Sequence, residues 1–287
     1  MTNNRLSGMP PLIINLAPTG VRPTKAQNPA VPLTHDEIVS DADAGLGLGA
    51  SMVHLHVRDA SGAPVCDAGA MGELIADIRA RRPDAVLVAS TTGRAGGGLD
   101  DRLAPLFLEG ERKPDMASLT LSSLNFTNGP SLNSPDTIES LARTMRDQGV
   151  RPELEVFDLG MVNMAKVLIR KGLVEPPYYF NILLGNVATA QNSLLHLAVL
   201  VNDLPEGSVW SVAGIGNAQP QTIPLGVAVA DGVRVGLEDN LWLDEGRARP
   251  ATNPELVERA ARLADASGRG VASPTEVRAR LGLPGRA

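Results

Sequence analysis

The sequence predicts an α/β fold, a TIM (β/α)8 barrel with a short C-terminal capping helix. The chain has 287 residues, a usual length for one such barrel. Eight short apolar runs rich in β-forming residues alternate with helix-like stretches along it. Because each helical crossover returns the chain to the same end of the sheet, eight such units pair in parallel, and closure into a barrel is the natural result.

The candidate strands are spaced along the whole chain. They cover residues 12–17, 51–57, 85–91, 116–121, 153–157, 179–184, 209–213 and 233–237. An open doubly wound sheet is the alternative, but the first strand runs into Ala17-Pro18-Thr19-Gly20 and not into the glycine fingerprint of a dinucleotide site. The barrel is therefore the favoured architecture.

Helix boundaries are visible between the strands. Residues 34–48 begin with a Thr-His-Asp-Glu capping box, and residues 134–148 end at Gly149, a residue type that often follows the last turn of a helix. Pro274 favours the start of a final helix over about residues 273–283. We expect residues 1–287 to form one domain, in which the barrel covers about residues 11–270.

Composition excludes several classes of protein. The chain has 26 Lys and Arg residues against 32 Asp and Glu residues, a net charge of −6, which argues against nucleic-acid binding. Its apolar runs are shorter than the roughly 18 residues that a membrane span needs, and residues 1–10 contain no apolar signal-like region. Cys66 is the single cysteine, which fits a reducing compartment. We expect a cytoplasmic protein without a membrane anchor.

Two histidines in the second strand give the strongest chemical signal. The segment is Val53-His54-Leu55-His56-Val57, and alternation places both histidines on one face and the apolar residues on the other. Burying two imidazoles against the helices without partners would cost about 1–3 kcal/mol each, so we expect them to point into the barrel. There they can chelate one metal ion; two hydrogen-bonded structural histidines are the alternative.

The end of strand eight supplies a third ligand. This strand runs into Glu238-Asp239-Asn240, and strands eight and two both flank strand one in a closed barrel. His54, His56 and Glu238 would form a two-histidine, one-carboxylate set that suits Zn²⁺ with an open position, and the same set also suits non-haem Fe²⁺. Helix capping is the alternative role for the two carboxylates.

Arg234 shares its face of strand eight with Glu238, so we expect its guanidinium to point inward. A buried arginine needs an anion. That anion is either a protein carboxylate such as Asp239 or the carboxylate of a substrate. Asp239, next to a predicted metal ligand, is the candidate general base.

Hydroxyl and carboxylate side chains cluster at other strand ends. Ser118, Thr120 and Ser122 alternate along strand four; inward hydroxyls can orient a substrate, whereas outward ones are ordinary loop residues. Glu153 and Glu155 share one face of strand five. We expect one of them either to support a metal-bound histidine or to bridge to a basic residue in the barrel floor.

Eight short segments, spread from about residue 11 to residue 283, together resemble the sequence pattern of a known family. They are Asn15-Leu16-Ala17-Pro18-Thr19-Gly20, His54-Leu55-His56-Val57-Arg58-Asp59, Thr91-Thr92-Gly93, Leu124-Asn125-Phe126, Glu153-Leu154-Glu155-Val156-Phe157-Asp158, Gly160-Met161, Gly214-Ile215-Gly216 and Gly236-Leu237-Glu238-Asp239-Asn240. In order and spacing these segments resemble the β-keto acid cleavage enzyme family, which includes the 3-keto-5-aminohexanoate cleavage enzymes.

The resemblance implies a zinc-dependent TIM barrel, usually a homotetramer. Such an enzyme condenses a β-keto acid with acetyl-CoA to give acetoacetate and a new acyl-CoA through a retro-Claisen step. The positions that match the family's functional residues are His54, His56 and Glu238 for the metal, Asp239 for the base, Arg234 for its partner, and Thr91 and Ser118 for hydroxyls that contact the keto acid. We add Ser122 to the substrate-binding set because it alternates with Ser118.

Arg22 departs from the family pattern. Members that act on amine-bearing keto acids carry an acidic side chain there, whereas a cation repels an ammonium group and attracts a carboxylate. We therefore expect Arg22 to contact a keto acid with a neutral or a second anionic end, such as a β-keto dicarboxylate. An orientation toward solvent is the alternative, because Pro23 follows and fixes the loop.

Three rival functions use the same residues. A metal-dependent aldolase or decarboxylase of keto acids would not need CoA, and an iron oxygenase would consume dioxygen. A non-catalytic metal-binding scaffold would not need Asp239 and Arg234 beside the ligands.

Overall fold

Eight parallel strands form a closed barrel in the computed structural model, which describes residues 8–286. The strands are β1 Ile13–Leu16, β2 Met52–Leu55, β3 Val86–Ala89, β4 Met116–Thr120, β5 Arg151–Val156, β6 Tyr179–Leu184, β7 Val209–Gly214 and β8 Gly232–Val235. Each strand pairs with the next along the chain, and β8 pairs with β1 to close the ring. The predicted (β/α)8 architecture is confirmed.

Helices follow the strands on the outside of the barrel. They are α1 His35–Gly47, α2 Ala68–Arg81, α3 Leu99–Leu103, α4 Pro135–Gln148, α5 Leu159–Arg170, α6 Leu194–Asn202, α7 Gln219–Val229, α8 Asn253–Ala266 and α9 Pro274–Leu281. The Thr34–Glu37 capping box starts α1 as predicted. Gly149 ends α4 in the left-handed conformation, with φ of 64°, which a residue without a Cβ adopts at little cost.

Helix α9 closes the N-terminal end of the barrel. Its Val277 and Leu281 pack against Ile13, Met52 and other apolar residues that begin the strands. Arg278 holds the helix in place through two hydrogen bonds of 2.9 Å to the Asp115 carboxylate. The predicted capping helix is confirmed, and the open end of the barrel is therefore the end where the strands finish.

Two short antiparallel hairpins extend from the loops at that end. Val57–Arg58 pairs with Pro64–Val65 after β2. Leu124–Phe126 pairs with Gly129–Ser131 after β4, and we call this second one the rim hairpin. Among residues 8–286, the helices are all too short or too polar to span a lipid bilayer.

Candidate active site

The two histidines of β2 point into the barrel. His54 and His56 are 1% and 5% exposed, and their Nε2 atoms lie 3.2 Å apart. On the other face, Val53, Leu55 and Val57 pack in the apolar cluster that α1 and α2 form with the sheet. The strand itself ends at Leu55, so His56 lies at the first loop position, at the rim of the open end.

Glu238 reaches the histidines across the end of β1. Strand β8 ends at Val235, and Gly236 turns the chain with φ of 144°. A Cβ on Gly236 would collide with the Ala17 carbonyl, and one on Gly20 would lie 2.5 Å from the Glu238 Cγ. The close approach of β1 and β8 at this level therefore requires glycine at both positions.

Three ligand atoms meet at this point, one each from His54, His56 and Glu238. They all lie within 4.8 Å of one another, and the His56 Nε2 lies 3.3 Å from the Glu238 Oε1. Ligand atoms around a tetrahedral Zn²⁺, with bonds of about 2.0–2.2 Å, are about 3.3–3.5 Å apart. The Glu238 Oε2 is buried and has no hydrogen-bond partner among the described residues. This donor set fits a divalent metal ion.

Glu153 supports His54 from the far side of the ring. Its Oε2 lies 2.6 Å from the His54 Nδ1, and both side chains are almost fully buried. Asn15 donates a hydrogen bond of 2.7 Å to the other carboxylate oxygen. This contact leaves the His54 Nε2 as the ligand atom, the arrangement that commonly orients metal-bound histidines. Of the two roles expected for the glutamates of β5, support of a histidine is the one that Glu153 occupies.

His54, Glu153 and Glu155 form a second group with metal-ligand spacing. The 2.6 Å contact between His54 and Glu153 is a hydrogen-bond distance. It is much shorter than the roughly 3.3 Å that separates two ligands of one tetrahedral ion. The group with Glu238 is therefore the better metal site.

The pKa shifts of two ligands, His56 and Glu238, favour the forms that bind a metal ion. Burial lowers the pKa of His56, which favours the neutral imidazole that donates a lone pair. Burial alone would raise the pKa of Glu238, but His56 and Arg234 outweigh it and hold that pKa well below its usual value. These directions favour an ionised Glu238 and a lone pair on the His56 ring, whereas Glu153 and Glu238 outweigh burial and raise the pKa of His54.

Arg234 joins the carboxylates of the site. Its Nε and Nη2 donate hydrogen bonds of 2.8 and 3.2 Å to the two oxygens of Asp239. The same Nη2 lies 2.9 Å from the Glu238 Oε1, and Nη1 lies 3.6 Å from the Glu155 Oε1. Nη1 is buried and makes no hydrogen bond within the described part of the chain. Arg234 therefore pairs with protein carboxylates and also presents one N–H group for an additional acceptor.

Asp239 is a buried carboxylate that Arg234 holds in one orientation. Burial raises the pKa of this carboxyl group although Arg234 opposes the shift. A carboxylate with a raised pKa has a greater affinity for protons, which suits a general base. Burial likewise raises the pKa of Glu155, to which Thr120 donates a hydrogen bond of 2.6 Å.

These side chains surround one cavity of about 220 Å³ at the open end of the barrel. Its polar and charged lining residues are Arg22, His54, His56, Ser90, Thr92, Arg94, Thr120, Thr127, Asn128, Ser131, Glu155, Asn186, Arg234, Glu238 and Asp239. The three possible metal ligands, the Asp239 carboxylate and the inward Arg234 therefore share one cavity of a size that holds a small organic acid.

Three of the predicted substrate-binding hydroxyls, those of Thr91, Ser118 and Ser122, do not line the cavity. Thr91 donates to the Ser118 carbonyl at 2.6 Å, and the Ser118 hydroxyl accepts from the Thr91 N–H at 3.1 Å. These two side chains thus join the end of β3 to β4 and do not line the cavity. Ser122 lies beyond the last residue of β4, Thr120, where alternation no longer holds, and its hydroxyl donates to the Ser123 carbonyl.

Strand alternation instead brings other hydroxyls to the cavity. Ser90, Thr92 and Thr120 line it. The sequence left the direction of Thr120 open, and the residue chosen at the end of β3 was Thr91 and not Thr92. A strict count of alternate positions from Val88 through the end of β3 would have found Ser90 and Thr92.

Arg22 and Arg94 lie together over the cavity. Arg22 is exposed, lines the cavity, and its Nη2 lies 3.5 Å from the Asn128 carbonyl. Arg94 was not predicted as a site residue; its guanidinium carbon lies 3.8 Å from the centre of the Phe126 ring. Its position directly after Thr92-Gly93, in a loop at the open end, was the available signal.

Comparison with known proteins identifies the relationship that the motifs suggest. A model of the β-keto acid cleavage enzyme family matches residues 11–283. The chain belongs to the β-keto acid cleavage enzyme family. The resemblance inferred from the sequence is confirmed.

Curated relatives of this family member are alike over their whole length. The 3-keto-5-aminohexanoate cleavage enzyme of Fusobacterium nucleatum is 39% identical over 276 residues, which cover 96% of this chain and 99% of that one. The 3-oxoadipate:acetyl-CoA acetyltransferase of Cupriavidus necator is 35% identical over 277 residues, which cover 96% and 95% of the two chains. The relatives thus include proteins named for keto acids of different charge.

Solved structures show the same fold. The apo structure of ObcA superposes with a TM-score of 0.80 at 23% identity, over 89% of this chain and 66% of that longer one. At this identity the likeness supports the barrel architecture alone.

Proposed function

We propose that this chain is a zinc-dependent β-keto acid cleavage enzyme. It condenses a β-keto acid with acetyl-CoA and releases acetoacetate and a new acyl-CoA. The observation that carries the proposal is the position of Asp239 and Arg234 in the same cavity as the ligand atoms of His54, His56 and Glu238. The names of the relatives, which include an acetyl-CoA acetyltransferase, support acetyl-CoA as the second substrate.

Cleavage between the α and β carbons of a β-keto acid requires electron withdrawal at the ketone. A divalent ion held by His54, His56 and Glu238 supplies that withdrawal when it is bound. Two nitrogen ligands and one carboxylate are typical of Zn²⁺ sites that keep an open position, which is why we assign zinc. Glu153 fixes the ring of His54 for this role.

Asp239 acts as the base in the proposed reaction. Its oxygens are held by Arg234, so the carboxylate is oriented before the substrate arrives. Asp239 takes an α-proton of the keto acid, and the enolate carbon attacks the thioester carbonyl of acetyl-CoA, which expels the CoA thiolate. The thiolate attacks the original ketone carbon, the bond between the α and β carbons breaks, and the released acetoacetate enolate takes the proton back from Asp239.

The decisive test is a panel of β-keto acids assayed with and without acetyl-CoA. We expect acetoacetate release only when both substrates are present, and loss of that activity after treatment with a metal chelator until Zn²⁺ is restored. Acetoacetate formation that depends on acetyl-CoA excludes the aldolase and decarboxylase alternatives, because neither reaction needs CoA. Turnover of a keto acid without acetyl-CoA would contradict the proposal.

We further propose that copies of this single-domain chain associate in the cytoplasm, as a homotetramer. Helix α6 carries Leu194, Leu195 and Val199, which are 71%, 72% and 44% exposed. Apolar side chains grouped on one helix mark an interaction surface. The single cysteine, Cys66, supports the reducing location.

Sedimentation velocity tests this association. Leu195→Glu should shift the chain to a smaller species, because a buried interface does not accept an unpaired carboxylate. The matched control is Leu132→Glu, at a leucine that is also 72% exposed but lies next to the rim hairpin. A wild-type chain that sediments as a monomer would refute the association.

A further inference from the structure

Two arginines of the cavity wall, Arg22 and Arg94, form no ion pair with any carboxylate of residues 8–286. Within the same residues, the Arg22 side chain makes one hydrogen bond, of 3.5 Å, to the Asn128 carbonyl. The Nε of Arg94 is buried and has no hydrogen-bond partner within residues 8–286. Arg234, which lines the same cavity, has three carboxylates within 3.6 Å. Arg234 is thus paired directly with protein carboxylates, whereas Glu238 and Glu155 act on Arg94 only at longer range and form no direct ion pair with it.

The rim hairpin holds these two arginines over one space. Arg94 stacks on Phe126 of the hairpin, with its guanidinium carbon 3.8 Å from the ring centre. Phe126 is itself packed edge-on against Phe157, with ring centres 5.8 Å apart. Arg22 contacts the hairpin at Asn128. Burial and the charge of Arg22 lower the pKa of Arg94, while Glu238 and Glu155 oppose that shift.

A guanidinium that is stacked and partly buried next to a second cation is poised for an anion. The guanidinium is planar by its own delocalisation, which is the geometry that binds a carboxylate through two parallel hydrogen bonds, and the stacking on Phe126 fixes the orientation of that plane. The carboxylates of the cavity, Glu155, Glu238 and Asp239, contact Arg234, Thr120 or His56 instead. The N–H groups of Arg94 and Arg22 are therefore available to an anion of a ligand.

We propose that Arg94, assisted by Arg22, binds a second carboxylate at the far end of the keto acid, so that the preferred substrate is a β-keto dicarboxylate. This inference rests on the proposed function, in which the ketone end of the same molecule lies at the metal ligands. A second anion neutralises the two arginines, whereas an ammonium group at that end is repelled by both. The relative named for 3-oxoadipate shows that the family includes such a substrate.

Paired substrates test the assignment. 3-Oxoadipate and 3-oxohexanoate have the same carbon chain, but only the first ends in a carboxylate. We expect Arg94→Gln to lower kcat/KM for 3-oxoadipate about 10–100-fold more than for 3-oxohexanoate, the range for a lost charge-assisted pair. Arg94→Lys should lose less, because it keeps the charge without the planar fork. Arg22→Gln should lose less than Arg94→Gln, because Arg22 is exposed.

Three controls keep the outcomes separate. Arg143→Gln changes the charge equally on the exposed face of α4 and should leave the preference between the two acids unchanged. Calorimetric titration of each acid into the zinc-loaded protein without acetyl-CoA should show tighter binding of 3-oxoadipate, and Arg94→Gln should abolish the difference. The KM for acetyl-CoA should not change in Arg94→Gln.

Two results would refute the second-carboxylate site, and a third would refute the proposed function. Equal losses for both acids would mean that Arg94 contacts the carboxylate common to them. A raised KM for acetyl-CoA alone would assign the arginines to a phosphate of CoA. Either result refutes the second-carboxylate site while acetoacetate release still supports the proposed function. Absence of acetoacetate from every keto acid would instead refute the proposed function, and the calorimetric comparison would still decide the role of Arg94.

Discussion

Glu153→Gln tests whether the glutamate that hydrogen-bonds to His54 contributes to metal binding although it is not itself a proposed ligand. The glutamate contacts His54 at 2.6 Å with both side chains almost fully buried, and it touches neither His56 nor Glu238. Glutamine preserves the size of the side chain and one acceptor oxygen but removes the charge that faces the imidazole. Loss of such an outer partner typically weakens metal binding 10–100-fold, or about 1.4–2.7 kcal/mol. Since this contact is short and shielded from water, we expect the upper half of that range.

The assay is competition for Zn²⁺ against a chromophoric chelator, with circular dichroism and thermal unfolding to verify the fold. Glu155→Gln is the matched control, because Glu155 lies on the same face of β5 and contacts Thr120 and Arg234 instead of His54. We expect its zinc affinity to stay within about threefold of wild type. If Glu155→Gln weakens zinc binding as much as Glu238→Gln does, the ion occupies the alternative group that includes Glu155, and the reasoning fails.

Three further predictions follow from the same contacts. Asp239→Asn should lower kcat by about 10²–10⁴-fold, the usual contribution of a general base, with zinc content unchanged; wild-type turnover would remove Asp239 from the reaction. Gly20→Ala should weaken zinc binding because its Cβ meets the Glu238 side chain, whereas Gly96→Ala, also at positive φ but in open space, should cost stability alone; similar zinc affinities would contradict this. A hydrogen bond from Lys25, together with those from the Leu33 and Thr34 N–H groups, lowers the pKa of Glu37 to about 2 from 4.5, so the stabilisation by these contacts is complete above pH 4.5 and is lost as the pH falls toward 2. Since Glu37 is well exposed, Glu37→Gln should destabilise by less than about 1 kcal/mol at pH 7 and by nothing near pH 2 in urea titrations; an equal loss at both pH values would refute the charge argument.

The barrel and the meeting of His54, His56 and Glu238 could be predicted from local periodicity and from the order of the strands. Strands β1 to β8 begin and end within about three residues of the predicted runs, since parallel strands buried on both faces are near-continuous apolar segments. The pair of histidines required only the alternation of β2. Glu238 required one further inference, that a closed barrel makes strands eight and two neighbours of strand one.

The lining beyond the strand ends was less predictable. Alternation past the end of a strand holds for Ser90 and Thr92 after β3 but not for Ser122 after β4, which lies outside the cavity although it shares parity with Ser118. Thr91 hydrogen-bonds to the neighbouring strand, a preference that depends on the local register and not on residue type. Arg94 lines the cavity, and its guanidinium stacks on Phe126 of the rim hairpin. This contact joins two loops that are distant in sequence, so no periodic pattern predicts it.

The location of the ligands couples the metal site to closure of the barrel. His54 and His56 follow from β2 and Glu238 from β8, and β1 lies between these strands. An ion held by all three side chains therefore connects the second strand to the last one across the first. The glycines at positions 20 and 236 are the points where this crossing is tightest, and a larger residue at either one would separate the strands that the ion joins. At the opposite end, α9 closes the barrel with apolar contacts and the Arg278–Asp115 ion pair. Substitutions among the cavity residues at the open end therefore leave the contacts that close the N-terminal end in place.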